Sequence, residues 1–161
     1  METGALRIMV VDDSPITTRQ ICMMMDLIGY QVVKIAANGK EAISAYRECM
    51  PDVVTMDITM PLVNGIEATR LIKKAYPDAN IVMVTSHGQE KMVLDALKAG
   101  AKGYVIKPFQ QQKLFEAIEK ACRRVVLQDK LKAASIEQAD RPEASAEESA
   151  TPAANTSENA E

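Results

Sequence analysis

The sequence is poor in the residues that build disulfide frameworks, thiolate metal sites and membrane spans. Its three cysteines, Cys22, Cys49 and Cys122, are an odd number at wide spacing and match no metal-ligand pattern, so we expect reduced thiols within helices. No run of about 18 apolar residues is present, which argues against a membrane span. The first five residues carry no basic start and no long apolar stretch, so no signal peptide is predicted and we expect a cytoplasmic protein.

The chain also lacks the signals of nucleic-acid binding and of repeat architectures. Beyond Lys132 there is neither a helix-turn-helix pattern nor a basic recognition helix, so no nucleic-acid partner is expected. No repeat of solenoid length is present.

Charge is distributed unevenly along the chain. The net charge is −3, yet residues 133–161 hold seven acidic residues against Arg141 alone, which leaves +3 on residues 1–132. Ile136 is the only large apolar residue of 133–161, so burial there cannot offset the entropy lost on ordering. We predict one folded domain over 5–132 and a disordered acidic tail over 133–161, which either solubilises the protein or binds a partner.

Five apolar strand-like runs alternate with segments of helical periodicity. The strong local signals are Ser14-Pro15 at a helix start, Gly29 and Gly100 at helix ends, and Asn38-Gly39 at a turn. This alternation predicts an α/β fold, a five-stranded parallel sheet with helices on both faces. The predicted strands are 6–11, 31–36, 53–56, 81–84 and 103–106, and the last helix begins near Gln110 and continues to about Lys132.

Chemically active side chains stand at the ends of four of these strands. Asp12 and Asp13 close the first strand, Asp57 the third, Thr85 the fourth and Lys107 the fifth. In open α/β sheets the ligand site lies beyond the carboxyl ends of the strands, so these groups are expected to converge. Three close carboxylates repel one another unless a cation lies among them, and an oxygen-rich site suits Mg²⁺.

Each converging group has a chemical task in phosphoryl transfer. Asp57 is the candidate nucleophile, since a carboxylate that attacks phosphorus forms an acyl phosphate. Asp12 and Asp13 would hold Mg²⁺, directly or through water, and shield Asp57 from their charge. Lys107 would neutralise phosphoryl oxygens, and Thr85 would donate a hydrogen bond to one of them.

The same residues carry a family resemblance. The ordered stretches VVDDS at 10–14, MDITMP at 56–61 with NG at 64–65, VTS at 84–86 and AGAKGYVIKPF at 99–109 resemble a response-regulator receiver domain over about residues 5–125. The resemblance implies the doubly wound, flavodoxin-like strand order 2-1-3-4-5 and a partner histidine kinase that phosphorylates Asp57. It also implies Mg²⁺ ligation by Asp13, Asp57 and the main-chain carbonyl of Thr59, with Asp12 acting through water, and a cis peptide bond before Pro108.

The resemblance further implies a switch. The Thr85 hydroxyl would move to the phosphoryl group and Tyr104 would swing inward, changing the surface of the fourth helix, fifth strand and fifth helix. This is a shift between two populated states. Thr59 and His87 would flank the path of a hydrolytic water, although for His87 a solvated loop residue is the expected role.

Within that family, DVVTMDITMPLVNGIEA at 52–68 and HGQEKMVLDALKAGAKGYVIKPFQ at 87–110 resemble chemotaxis regulators of the CheY type. Such a regulator is not an enzyme beyond promoting its own phosphotransfer and autodephosphorylation, and its output partner would be the flagellar motor switch. A phosphorelay shuttle working with a phosphotransfer domain, or an adaptor that regulates another signalling protein, stays open, as does a partner phosphatase. A dehalogenase-like phosphatase would need a second aspartate where Thr59 stands.

Overall fold

The computed structural model describes residues 4–139, in which strands and helices alternate along the chain. The strands are β1 (Arg7–Val11), β2 (Gln31–Ala36), β3 (Val53–Met56), β4 (Ile81–Thr85) and β5 (Gly103–Ile106). The helices are α1 (Pro15–Leu27), α2 (Gly39–Cys49), α3 (Gly65–Ala75), α4 (Glu90–Ala99), α5 (Gln111–Ala121) and α6 (Arg123–Ala139).

The five strands form one parallel sheet in the order β2-β1-β3-β4-β5, which confirms the predicted fold. The strand order reverses direction at β1, because β2 lies on one side of it and β3 on the other. A crevice opens at such a reversal, beyond the carboxyl ends of the strands. The topology therefore places the ends of β1 and β3 beside this crevice.

Alternate residues of the strands supply two hydrophobic cores, one on each face of the sheet. Met9 and Val11 pack into a core that α2, α3 and α4 cover. Ile8 and Val10 pack into the opposite core, which α1 and α5 cover. The period-two alternation of a strand thus explains why β1 is buried on both faces and reads as a continuous apolar run.

Side-chain caps set the starts of three helices that adjoin the crevice. The Oγ of Ser14 accepts from the Thr17 N–H at 3.4 Å at the start of α1. Asn38 and Asn64 each cap a helix through Oδ1, which accepts an N–H three residues on at 2.9 Å. These caps satisfy helix N–H groups that have no intrahelical partner, so they fix where each loop ends.

The C-terminal part departs from the predicted single helix. The helical path breaks at Cys122, and α6 then runs to Ala139, beyond the predicted end at Lys132 and into the segment expected to be disordered. Cys122 is fully buried in the core, whereas Leu127, Leu131 and Ile136 of α6 are exposed. The break therefore lies where the chain leaves the core. The rest of the predicted acidic tail, 140–161, lies outside the described residues.

The structure also describes the cysteines and the apolar character of the helices. The three cysteines are free thiols, two within helices and Cys122 at the C-cap of α5. Within residues 4–139, none of the helices combines the length and apolar character needed to cross a membrane.

Candidate functional site

The predicted site residues lie at the carboxyl edge of the sheet, and backbone hydrogen bonds hold them there. The Asp12 N–H donates to the Ala36 carbonyl at 3.0 Å, and the Asp57 N–H donates to the Val11 carbonyl at 2.9 Å. The Lys107 N–H donates to the Thr85 carbonyl at 2.8 Å. Each bond extends the strand ladder by one residue, so side chains far apart in sequence share one rigid edge.

Lys107 lies between two carboxylates and is closer to one of them. Its Nζ donates to Asp12 Oδ2 at 2.6 Å and to Asp57 Oδ2 at 3.3 Å. The Asp12 side chain is 1% exposed and that of Asp57 9% exposed, so both contacts are largely removed from water. Burial raises the pKa of Asp12, and the hydrogen bond from Lys107 opposes that rise only in part. Together with Asp13, three carboxylates share this one lysine.

A divalent cation fits the remaining charge. Asp12, Asp13 and Asp57 each offer a carboxylate oxygen, and these three oxygens lie within 4.8 Å of one another. Asp12 and Asp57 are buried, whereas Asp13 is exposed. Mg²⁺ prefers hard oxygen ligands and retains several waters, so a few carboxylates on an accessible edge suit it. Thr59, predicted to add its main-chain carbonyl, lies in the loop that follows Asp57.

The backbone next to Asp57 holds its carboxylate, and Gly65 packs closely against that backbone. In the sequence Gly65 stood out only as part of the NG motif at 64–65. Its Oδ1 accepts the Ile58 N–H at 2.8 Å, which orients the carboxylate. Gly65 opens α3 directly against this segment, because a Cβ added there would lie 1.9 Å from the Asp57 carbonyl oxygen. The Gly65 N–H donates to the Ile58 carbonyl at 2.9 Å. Only a residue without a side chain allows this approach.

Thr85 and Tyr104 are joined through His87. Thr85 is fully buried at the end of β4, and its Oγ1 accepts the His87 N–H at 3.5 Å. The Tyr104 hydroxyl donates to the His87 carbonyl. Burial, and secondarily the charge of Asp57, raises the pKa of Tyr104. Both predicted switch residues thus contact one loop, β4–α4.

His87 lies in a loop and is partly exposed, as expected, but its ring also makes a side-chain contact. Its ring Nε2 lies 2.6 Å from Thr59 Oγ1, and the residue is only partly exposed. This contact joins the loop after Asp57 to the loop after Thr85. The positions of Thr59 and His87, each two residues beyond a site residue, were the available signal, but the spacing alone does not reveal a direct hydrogen bond.

The Lys107–Pro108 peptide bond is cis, in agreement with the expectation from the resemblance. A cavity of about 490 Å³ adjoins Asp12 and Asp13, with Pro15, Cys22 and Ile35 among the residues that line it. The carboxylate edge is thus open on its α1 side.

Comparison with known proteins agrees with this geometry. The model of the "Response regulator receiver domain" family matches residues 8–119. The chemotaxis protein CheY of Thermotoga maritima is 43% identical over 73% of this chain and 98% of its own length. CheY of Bacillus subtilis is 45% identical over 72% of this chain and 97% of its own length.

Solved structures of response regulators are similar to this chain in fold. A chain of the CheX–CheY–BeF3–Mg²⁺ complex from Borrelia burgdorferi superposes with a TM-score of 0.70 at 31% identity, covering 72% of this chain and 88% of that one. The response regulator domain of Thermotoga maritima CheB superposes with a TM-score of 0.69 at 35% identity, covering 74% of this chain and 97% of that one.

Proposed function

Because this chain belongs to the response regulator receiver family and is of the chemotaxis CheY type, we propose that it accepts a phosphoryl group from a histidine kinase on Asp57 in the cytoplasm. The observation that carries the proposal is the convergence of Asp12, Asp13 and Lys107 on Asp57 at one edge of the sheet. We assign acceptor chemistry to residues 5–132.

The transfer itself needs a free carboxylate and compensation of charge. An oxygen of Asp57 attacks phosphorus, an O–P bond forms, the P–N bond of the phosphohistidine breaks, and the leaving imidazole keeps the electron pair and takes a proton. Lys107 already contacts Asp57 through its Nζ and can follow the negative charge onto the phosphoryl oxygens. The Ile58 N–H holds the other carboxylate oxygen and limits its rotation.

Asp12, Asp13, Asp57 and the Thr59 carbonyl are the residues that would hold Mg²⁺, which when bound offsets the charge of the phosphoryl oxygens. The residues themselves favour occupancy by a cation, because three carboxylates share one lysine. Asp13 is the ligand best placed to be tested, since it is exposed and makes no contact with Lys107 among the described ion pairs.

Signal output follows from Thr85 and Tyr104. The Thr85 hydroxyl is buried one strand away from Asp57 and would bond a phosphoryl oxygen, releasing the β4–α4 loop. Tyr104 holds the carbonyl of His87 in that loop, so movement of the loop removes its partner. The phosphoryl group acts only through its different affinity for the two arrangements.

We infer the flagellar motor switch as the partner that reads this change, with support from the chemotaxis relatives. The second candidate is a relay or adaptor receiver, which would use the same acceptor site and pass the signal to a different partner. A phosphatase or phosphotransfer domain would then be a further partner.

Phosphorylation by a small donor such as acetyl phosphate tests the acceptor assignment. We expect Mg²⁺-dependent incorporation by the natural chain and none by Asp57→Asn, with Asp95→Asn on α4 as a folded control that retains acceptance. Stable incorporation by Asp57→Asn would overturn the assignment. Affinity capture with the protein locked by beryllofluoride then separates outputs: a motor switch protein supports chemotaxis output, and a phosphotransfer domain supports a relay.

A further inference from the structure

A second, larger recess lies away from the carboxylates, between β5, α5 and α6. Its volume is about 690 Å³. Gly103, Ala117 and Leu127 form apolar parts of its wall, and Tyr104 lines it as well. Leu127 is 51% exposed, so this wall is not covered by the rest of the described chain. We call this recess the basic groove, because its charged wall is mostly cationic.

Five cations and two carboxylates line the basic groove. The cations are Lys102, Lys113, Lys120, Arg123 and Lys130, and the carboxylates are Glu116 and Glu119. All five cations are exposed, and none of them forms an ion pair with another side chain that the structure describes. Clustered like charges raise the local potential and attract an anionic chain. The groove therefore suits an acidic, partly apolar peptide.

We propose that the acidic segment 140–161 of this same chain occupies the basic groove. The segment holds six acidic residues and one arginine: Asp140, Glu143, Glu147, Glu148, Glu158, Glu161 and Arg141. It directly follows α6, whose residues Leu127 and Lys130 line the groove. The charge of the segment is opposite to that of the groove, and it is covalently joined to the groove wall.

Chain length permits this contact. From Lys130 to Ala139 the helix α6 rises about 14 Å, at about 1.5 Å per residue. Glu147 and Glu148 follow Ala139 by eight and nine residues, so an extended chain carries them about 26–30 Å back. Covalent attachment through so few residues raises the effective concentration of the segment at the groove, into the millimolar range for a linker of this kind, so individually weak ionic contacts suffice for occupancy.

Occupancy would have a regulatory consequence that rests on the proposed function. Tyr104, which is expected to move when Asp57 is phosphorylated, lines the groove and contacts the His87 carbonyl. A tail in the groove would compete with any partner that docks on β5 and α5. The contact between tail and groove does not itself require phosphorylation.

Zero-length carbodiimide cross-linking of the full, unphosphorylated chain tests the contact, read by mass spectrometry on a mixture of ¹⁴N and ¹⁵N protein. We expect amide links from Glu147 or Glu148 to Lys113 or Lys120, each within one isotope. The yield should fall about tenfold in 1 M NaCl, where the Debye length is about 3 Å against about 10 Å at 0.1 M. Links of mixed isotope would show that a second copy fills the groove and would overturn the proposal.

Two matched pairs of full-length variants complete the test. Lys113→Gln with Lys120→Gln should lower the yield of tail links to the remaining groove lysines severalfold, whereas Lys40→Gln with Lys74→Gln, which change exposed lysines on α2 and α3, should leave that yield unchanged. Equal yields of tail links to Lys40 or Lys74 and to the groove would contradict the proposal. Because no donor or Mg²⁺ is present, failure here leaves the acceptor assignment intact, and failure of Asp57 to accept phosphate leaves this result intact.

Discussion

Gly65→Ala tests whether the backbone around Asp57 must be placed as closely as the structure shows. The added Cβ would lie 1.9 Å from the Asp57 carbonyl oxygen, 2.8 Å from its carbonyl carbon and 3.0 Å from the Ile58 Cα. Close contacts between carbon and oxygen in proteins are about 3.3–3.6 Å, so these atoms must separate by roughly 1.4 Å. Every atom in the way belongs to the backbone, so no side-chain rotation relieves the contact.

This separation should lower the stability of the folded chain and, to a larger extent, its rate of phosphorylation. Forced overpacking costs about 1–3 kcal/mol, and weakening the Gly65 N–H bond to Ile58 adds about 1 kcal/mol. The better helix propensity of alanine returns up to about 1 kcal/mol, so the net loss is about 2 kcal/mol. A displacement of about 1 Å at a reacting group can slow a reaction about a hundredfold, and we expect a loss of that size in the rate of phosphorylation.

Gly39→Ala is the matched control. Its Cβ would lie 2.3 Å from the Val63 carbonyl oxygen, which also forces a backbone shift, but Val63 is not a site residue. Stability is measured by urea unfolding followed by circular dichroism. Phosphorylation by acetyl phosphate is followed on phosphate-affinity gels, because the chain has no tryptophan to report on the site.

The two variants should separate stability from chemistry. Both variants should lose stability to a similar degree. Under conditions where both remain folded, only Gly65→Ala should be phosphorylated more slowly. A Gly65→Ala chain that accepts phosphate within about threefold of the natural rate would refute the reasoning. An equal loss of rate in Gly39→Ala would do the same, because the effect would then be general.

Three further predictions concern the charges and thiols. Lys107→Met should destabilise the chain by about 1–3 kcal/mol at pH 8, below the usual penalty for a fully buried pair because Lys107 is partly exposed. Burial raises the pKa of Asp12, so the folded state binds this proton more readily than the unfolded state does. Loss of Lys107 should strengthen that preference. The deficit should therefore shrink as the pH falls towards 5 in urea unfolding, and a deficit that grows would contradict this. Asp13→Asn should bind Mg²⁺ at least tenfold more weakly. At saturating Mg²⁺ this lowers the stabilisation of the folded chain by the ion by about 1.4 kcal/mol, which thermal unfolding with and without Mg²⁺ measures. Equal stabilisation of both chains would remove Asp13 from the ligand set. Burial raises the pKa of Cys122 to about 12, so its thiolate population at pH 8 is about a thousandfold below that of an ordinary thiol, and alkylation of the folded chain should spare Cys122 until urea unfolds it. Alkylation of Cys122 in the folded state at the rate of Cys22 would argue against that burial.

Much of the fold was predictable because its signals are local. Alternation of apolar runs with helical segments predicted the parallel sheet, and Ser14, Gly29 and Gly100 marked helix ends that the structure retains. Placement of Asp57 and Lys107 after strands was enough to predict that they lie at one edge. Each of these inferences needs only a few neighbouring residues and the rules of strand and helix geometry.

Other features depended on atoms brought together from distant parts of the chain. The break at Cys122 follows from burial against the sheet, which helical periodicity does not report. His87 contacts Thr59 across 28 residues, so no local pattern reveals this hydrogen bond. The need for Gly65 arises from the position of another backbone segment, since its own conformation suits many residues.

Sequence by itself determined the fold class, the edge of the sheet where the candidate site residues lie and the acidic composition of the C-terminal segment. Tertiary structure alone decided that Lys107 lies nearer Asp12 than Asp57, and that five cations gather in one groove. The physical reason is that residue type and spacing specify which edge or face a side chain occupies. Distances of 2.6 and 3.3 Å arise only when strand register and helix packing are fixed together.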